Sequence, residues 1–248
     1  MYQKSKYYFG AKMLVIQSVT PRQFINPLLS KRSIVTDELD TFDNALKDYL
    51  KELQIQLATK QTEPNIVSNA LQPFFLRLGY SAKSYSQKGQ SGIDLALMLE
   101  HEPSVIIEAK TYGSSAMITH KDINKKALHE AIYYFMVERD KGNVNLFHII
   151  ITDFFNWYIF DAKDFERLFW QDKSIRKLYE SIKDPSVLGD RTSDFYELIK
   201  KKIPELKSKT DLFEDASISC AYFNFKNNFT DKQKIAVYKL LSKDTLFK

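Results

Sequence analysis

Two acidic side chains and one lysine stand out for what their types and spacing can do. Asp94 sits in Gly92-Ile93-Asp94-Leu95-Ala96-Leu97, and Glu108-Ala109-Lys110 ends the apolar run Val105-Ile106-Ile107. Strand side chains alternate between faces, so Glu108 and Lys110 would share one face while Ala109 turns to the other. If the two segments are adjacent strands joined around His101–Pro103, two carboxylates and an ammonium meet at one end of a sheet. Hard oxygen ligands of this kind suit magnesium, which typically takes one or two carboxylates plus water and substrate phosphate. A divalent cation polarises a phosphoryl oxygen and acidifies an attacking water. A neighbouring ammonium orients that water or stabilises charge on the phosphate. The chemistry these residues suit is therefore phosphodiester hydrolysis. Asp94, Glu108 and Lys110 are the candidate catalytic residues, and Asp94, Glu108 and the Ala109 carbonyl are candidate metal ligands.

An acidic residue two before a lysine is a weak pattern by itself, and the chain offers two rivals. Glu205-Leu206-Lys207 follows Pro204 in a polar tract with no strand before it. Asp161-Ala162-Lys163 follows the strand-like Trp157–Phe160 and has Asp153 upstream. Acidic residues commonly cap helix starts, so Asp161 is expected to cap a helix over Lys163–Phe169. For Glu108 the competing account is a surface salt bridge to Lys110, which the paired Gly-Ile-Asp segment makes the weaker one.

The elements that must position these residues can be read from periodicity. Apolar residues spaced three or four apart predict a helix from about Asp37 to Leu57. Thr62 and Pro64 announce a second, Gly79 stops it, and Pro73 inside it predicts a kink or break. Tyr80–Ser86, Ile93–Leu99 and Val105–Glu108 read as strands, with Gly89 and Gly92 punctuating the first gap. A long helix is expected over Lys121–Arg139, burying Ala127, Ala131, Ile132, Phe135 and Met136. Asn145–Thr152 and Asn156–Phe160 read as two more strands, with Trp157, Tyr158 and Phe160 core rather than base-stacking residues. The expected class is α/β, a mixed central sheet flanked by helices. Residues 1–35 read as an irregular arm, 36–171 as the core, and 172–248 as a mainly helical, lysine-rich extension.

Bulk properties set outer limits. Hydrophobic residues at 44% and aromatics at 14% suffice for a sizeable core in 248 residues. The single cysteine, Cys220, excludes an intrachain disulfide framework and a multi-thiolate zinc site; it is expected to be a buried small hydrophobe. A net charge of +5 permits contact with a polyanion. No apolar run approaches a membrane span, and the basic start at Met1–Lys6 is followed by too short an apolar run for a signal peptide, so a cytoplasmic protein is expected.

The segments Ser91-Gly-Ile-Asp-Leu-Ala and Ser104-Val-Ile-Ile-Glu-Ala-Lys resemble the PD-(D/E)XK nuclease core. Val19-Thr-Pro-Arg, Asn124–Phe135 and His148–Asp153 with Trp157–Glu166 narrow the likeness. Together they resemble the N-terminal endonuclease domain of fused restriction–modification enzymes of type IIG, over roughly residues 19–170. The resemblance implies a restriction-endonuclease-like core acting on double-stranded DNA with Mg2+, or with Mn2+ as a substitute, and possible dimerisation for double-strand cleavage. By it Asp94 and Glu108 bind the metal, Lys110 is the catalytic lysine, and Glu63, on the helix before the first strand, either assists the metal or caps its helix. His129-x-x-x-Tyr133 stands where relatives carry Gln-x-x-x-Tyr, which makes His129 a candidate DNA-positioning residue. Lys121, Lys125 and Lys126 and the run Lys200-Lys201-Lys202 are candidate phosphate contacts or simply solvated faces. The chain contains no Asn-Pro-Pro-Tyr-like motif and no glycine-rich S-adenosylmethionine loop. The implied methyltransferase and target-recognition domains would lie elsewhere in a longer protein, with 172–248 as the connector, unless the chain is a stand-alone nuclease. Two alternatives stay open: a catalytically silent DNA-binding or assembly domain, and a repair or RNA nuclease of the same fold.

Overall fold

A computed structural model describes residues 14–25, 27–85, 92–183, 191–206 and 216–248. Met1–Lys6, Ser86, Gly89, Ser91 and Lys207, named above, lie outside the described residues. In chain order the elements are β1 (Val15–Ser18), α1 (Pro21–Phe24), α2 (Pro27–Lys31), α3 (Thr36–Ala58), α4 (Glu63–Ile66), α5 (Gln72–Arg77), β2 (Ser81–Tyr85), β3 (Ile93–Leu99) and β4 (Glu102–Ala109). Then come α6 (Lys126–Asp140), β5 (His148–Thr152), β6 (Asn156–Asp161), α7 (Ala162–Phe165), α8 (Lys173–Ile182), α9 (Thr192–Lys202), β7 (Ser217–Asn224), α10 (Asp231–Leu240) and α11 (Lys243–Leu246).

The seven strands form one mixed sheet in the order β1-β7-β6-β5-β4-β3-β2. β3 and β4 pair antiparallel, with Leu95 opposite Ile107 and Leu97 opposite Val105. β4 and β5 pair parallel, which requires a crossover, and α6 supplies it. Strand alternation sends Ile106, Ile149 and Ile151 to one face, under Ala127, Leu128, Ala131 and Phe135 of α6. Val105, Ile107, Ile150 and Trp157 face the other way, onto Phe42, Leu53, Phe74 and Phe75 of α3 and α5. The strands next to the site are thus buried on both faces, which is why they read as continuous apolar runs. Trp157, Tyr158 and Phe160 are buried core residues, as expected, and so is Cys220.

Pro73 neither breaks nor ends its helix. Residues Val67–Leu71 form a π-helical turn between α4 and α5, in which the Gln72 amide donates to the Val67 carbonyl. A proline removes one amide donor and crowds the carbonyl four residues back, and widening the preceding turn relieves that crowding. β4 begins at Glu102 rather than Val105, and α6 begins at Lys126 rather than Lys121.

The expected partition of the chain needs two corrections. Residues 15–18 are not an irregular arm: β1 pairs parallel with β7. Residues 172–248 are not only a helical connector either, because β7 lies inside the sheet, hydrogen-bonded to β1 and β6. Val237, Leu240 and Leu246 from the last two helices share the core of α3 and α5. Tyr80 also donates its hydroxyl to the Leu241 carbonyl at 2.7 Å. A strand pairing only with residues some 200 positions away leaves little trace in local periodicity. Among the described residues no helix is long and apolar enough to cross a membrane.

Candidate active site

The β3–β4 register carries the geometry. With Leu95 opposite Ile107, the next step along the antiparallel ladder sets Asp94 against Glu108. Side chains directly opposite project from the same face, with Cβ atoms about 5 Å apart. That face is the one α6 covers. Asp94 also ends the ladder: its Oδ2 accepts the Ala109 amide at 2.8 Å, in place of a backbone carbonyl. Lys110, two residues past Glu108, continues on the same face, and its own amide donates to the Thr152 carbonyl at 2.8 Å.

Lys110 is only 7% exposed, and its ammonium lies among oxygens. It ion-pairs with Glu108 Oε1 and donates to the Ala109 carbonyl at 2.8 Å. Glu130 Oε2, from the first turns of α6, lies 3.0 Å away, and Glu63 Oε1 lies 3.6 Å away. Glu63 leads α4 to the same sheet end and also accepts the Thr111 amide at 2.6 Å. Its carboxylate thus clamps the segment after Lys110 rather than capping α4. The ion pair between Glu108 and Lys110 is therefore buried and embedded in a wider cluster, not the surface salt bridge of the competing account.

Electrostatics follow from this burial. Desolvation, then the nearby Asp94 charge, push Glu108 well above the usual carboxylate range. Desolvation also raises Asp94, to about 6, against the opposing pull of Lys110 and the Ala109 amide. Burial would lower the Lys110 pKa, but Glu108 and Glu130 outweigh it and hold it above its ordinary value. Burial would raise Glu130, yet the Lys110 charge beside it brings it below the usual range.

Glu130 is the site residue that sequence reasoning missed. A signal existed: it stands three residues after Ala127 and next to Ala131, inside the apolar stripe of α6, where a lone carboxylate needs a partner. The nucleic-acid candidates fare differently. Lys121 and Lys125 lie in the turn before α6, where Lys125 pairs with Asp122 at 2.7 Å. Lys126 reaches the cluster instead, 3.4 Å from Glu130 Oε1. His129 is buried, 2.7 Å from Asn124 Oδ1, and burial followed by the Lys200 charge lowers its pKa to about 4. Its Nε2 is engaged by Asn124, and the Glu130 charge acts on the ring against the burial penalty. Asn124 in turn donates to the Lys200 carbonyl at 2.9 Å, so this pair fastens α6 to α9.

The rival triplet is occupied structurally. Asp161 caps α7 by accepting the Lys163 amide at 2.8 Å. Asp153 accepts the amides of Phe155 and Asn156 and the Asn156 side chain, shaping the β5–β6 turn. That turn places Phe154 at a φ of 74°, and the Phe154 carbonyl receives Tyr49 Oη at 2.7 Å and Trp157 Nε1 at 3.1 Å.

Among the described residues no three histidine, cysteine, aspartate or glutamate side chains are placed to hold a metal. A cation here would rest on two carboxylates, a backbone carbonyl and water, a set magnesium accepts. One observation favours such a fit: Glu108 Oε2 is buried and has no hydrogen-bond partner. Buried acceptors without donors are uncommon, and a cation satisfies one directly.

Fold and site together define an α/β protein with a mixed seven-stranded open sheet and a buried acid–lysine cluster at the β3–β4 end. Residues 19–248 match the family described as a domain of unknown function, DUF7149, and the chain belongs to it. No curated protein and no solved structure matches the chain.

Proposed function

We propose that this chain is a magnesium-dependent nuclease domain hydrolysing phosphodiester bonds of double-stranded DNA, built on a PD-(D/E)XK-like core. The observation that carries this reading is Asp94 facing Glu108 across β3 and β4, with Lys110 on the same face. Asp94, Glu108 and the Ala109 carbonyl are the groups that would hold the cation. When bound, it would supply Lewis acidity at phosphorus and acidify a water. Asp94 keeps one carboxylate oxygen committed to the Ala109 amide, which fixes its orientation. Glu63 fixes the Thr111 backbone and with it the exit of the chain from Lys110. Lys110 holds a full positive charge beside the carboxylates and is the group that would meet a phosphate oxygen. The reading extends to the cleavage half of a restriction–modification enzyme, with target choice made by separate recognition and methyltransferase domains. The type IIG-like stretches support that extension.

A second reading is a catalytically silent DNA-binding or assembly domain. The neutralising ion pairs around Lys110 and the absence of a three-residue metal set among the described residues favour it. Cleavage of supercoiled and linear DNA with Mg2+ separates the two, comparing the chain with Asp94→Asn, Glu108→Gln and Lys110→Ala. Metal-dependent nicking lost in all three supports the nuclease. Nicking undiminished in all three refutes the site. Binding of DNA with no cleavage under Mg2+ or Mn2+ favours the silent domain.

A further inference from the structure

The position of the Lys110 ammonium carries a consequence for how the site takes up metal, resting on the nuclease reading above. It sits on the Glu108 carboxylate and on the Ala109 carbonyl, two of the groups assigned to the cation. Two further acceptors flank it: Glu130 Oε2 at 3.0 Å, from α6, and Glu63 Oε1 at 3.6 Å. Glu63 is already committed to the Thr111 amide, whereas Glu130 is buried and pairs with Lys126 through its other oxygen at 3.4 Å. The one buried oxygen of Glu108 that Lys110 does not reach has no partner.

We propose that the Lys110 ammonium is a resident cation that fills the metal position in the metal-free protein, and that Glu130 is the positioning residue that receives it when a divalent ion enters. Two cations cannot share Glu108 and the Ala109 carbonyl without strong repulsion. Lys110 must withdraw, and of the two carboxylates in reach Glu130 is the nearer and the one not holding the Thr111 amide. Because Glu130 is carried by α6, the withdrawn ammonium stays beside the carboxylates, where a phosphate oxygen would lie. Glu130 then acts on metal binding through Lys110 rather than as a ligand.

Mn2+ binding to the full chain, followed by the electron paramagnetic resonance signal of the free ion, tests this without any catalytic readout. Lys110→Met is expected to bind Mn2+ at least tenfold more tightly than the unsubstituted chain. Glu130→Gln is expected to weaken binding several-fold in the unsubstituted chain and to change it less than twofold in the Lys110→Met background. Unchanged or weaker binding in Lys110→Met overturns the proposal, and so does an equal effect of Glu130→Gln in both backgrounds. If the folded, unsubstituted chain and both variants bind no Mn2+, the metal-site reading itself fails. Mn2+ binding without the tightening sinks only the exchange. Should Lys110→Met not fold, a Ca2+-loaded structure of the unsubstituted chain decides. Lys110 Nζ off the Ala109 carbonyl and on Glu130 supports the exchange, and Nζ still on that carbonyl refutes it.

Discussion

Asp94→Asn is expected to make the metal-free protein more stable at neutral pH while destroying metal binding. The Asp94 carboxyl is raised to about 6 from its ordinary 3.8, chiefly by burial. A group with a raised folded pKa favours the native state when protonated, and that contribution is lost as pH climbs from about 4 through 6. A shift of two units corresponds to roughly 3 kcal/mol of penalty for the ionised form above pH 7, at 1.36 kcal/mol per unit. Asparagine keeps an oxygen for the Ala109 amide, and its NH2 can donate across the ladder toward Glu108. Urea denaturation of both proteins with EDTA should therefore give nearly equal stabilities at pH 4. The gap should open to about 3 kcal/mol in favour of Asp94→Asn by pH 7.5. Taking the difference cancels the titrations of groups that Asp94 does not touch. Millimolar Mg2+ should then stabilise only the unsubstituted chain, since a ligand that binds the native state alone adds RT ln(1 + [L]/Kd). Equal stabilities at pH 4 and pH 7.5 would refute the argument that burial strains this carboxylate.

Other expectations can be checked with similar means. His129 has its pKa lowered to about 4 and should resist protonation, so the stability it confers is full above pH 6.5 and is lost as pH falls through 4; His129→Gln should flatten that part of the stability profile in denaturant titrations. Phe74 is 1% exposed amid Phe42, Tyr49 and Trp157, and Phe74→Ala should cost about 3–5 kcal/mol by urea unfolding. Asp161→Ala should cost about 1 kcal/mol through loss of the α7 cap while leaving metal-dependent DNA cleavage intact, and a variant that folds but no longer cuts would return the rival triplet to contention.

The local parts of the site were legible because they depend on short-range rules. Alternation put Glu108 and Lys110 on one face, the apolar run before them marked a buried strand, and the break expected around His101–Pro103, which the structure places at Glu100–His101, implied an antiparallel partner carrying Asp94. The Asp161 cap was legible for the same reason. Glu130 was not read, since its partner lies on another element and α6 shows only a carboxylate among apolar residues. His129 drew attention through a motif position, and its contact with Asn124 in the turn before α6 could not be read from that position. The start of α6 was misjudged because Lys121–Lys125 is rich in helix-compatible residues, whereas the Thr119–Asp122 turn holds the chain away from a helix. β1 escaped because its pairing partner, β7, lies across nearly the whole chain, and β7 because both of its partners are distant in sequence.

That last pairing bears on how the protein is made. β2 to β6, with the acid–lysine cluster, are complete once Asp161 has been synthesised, but β7 follows only some 60 residues later. At about 5–20 residues per second the free edge of β6 waits on the order of several seconds for its neighbour. An unpaired strand edge is a template for association with other chains. The interval before Ser217–Asn224 emerges is therefore when a nascent chain most needs shielding, and a chain stopped there would carry the cluster on a sheet with an open side.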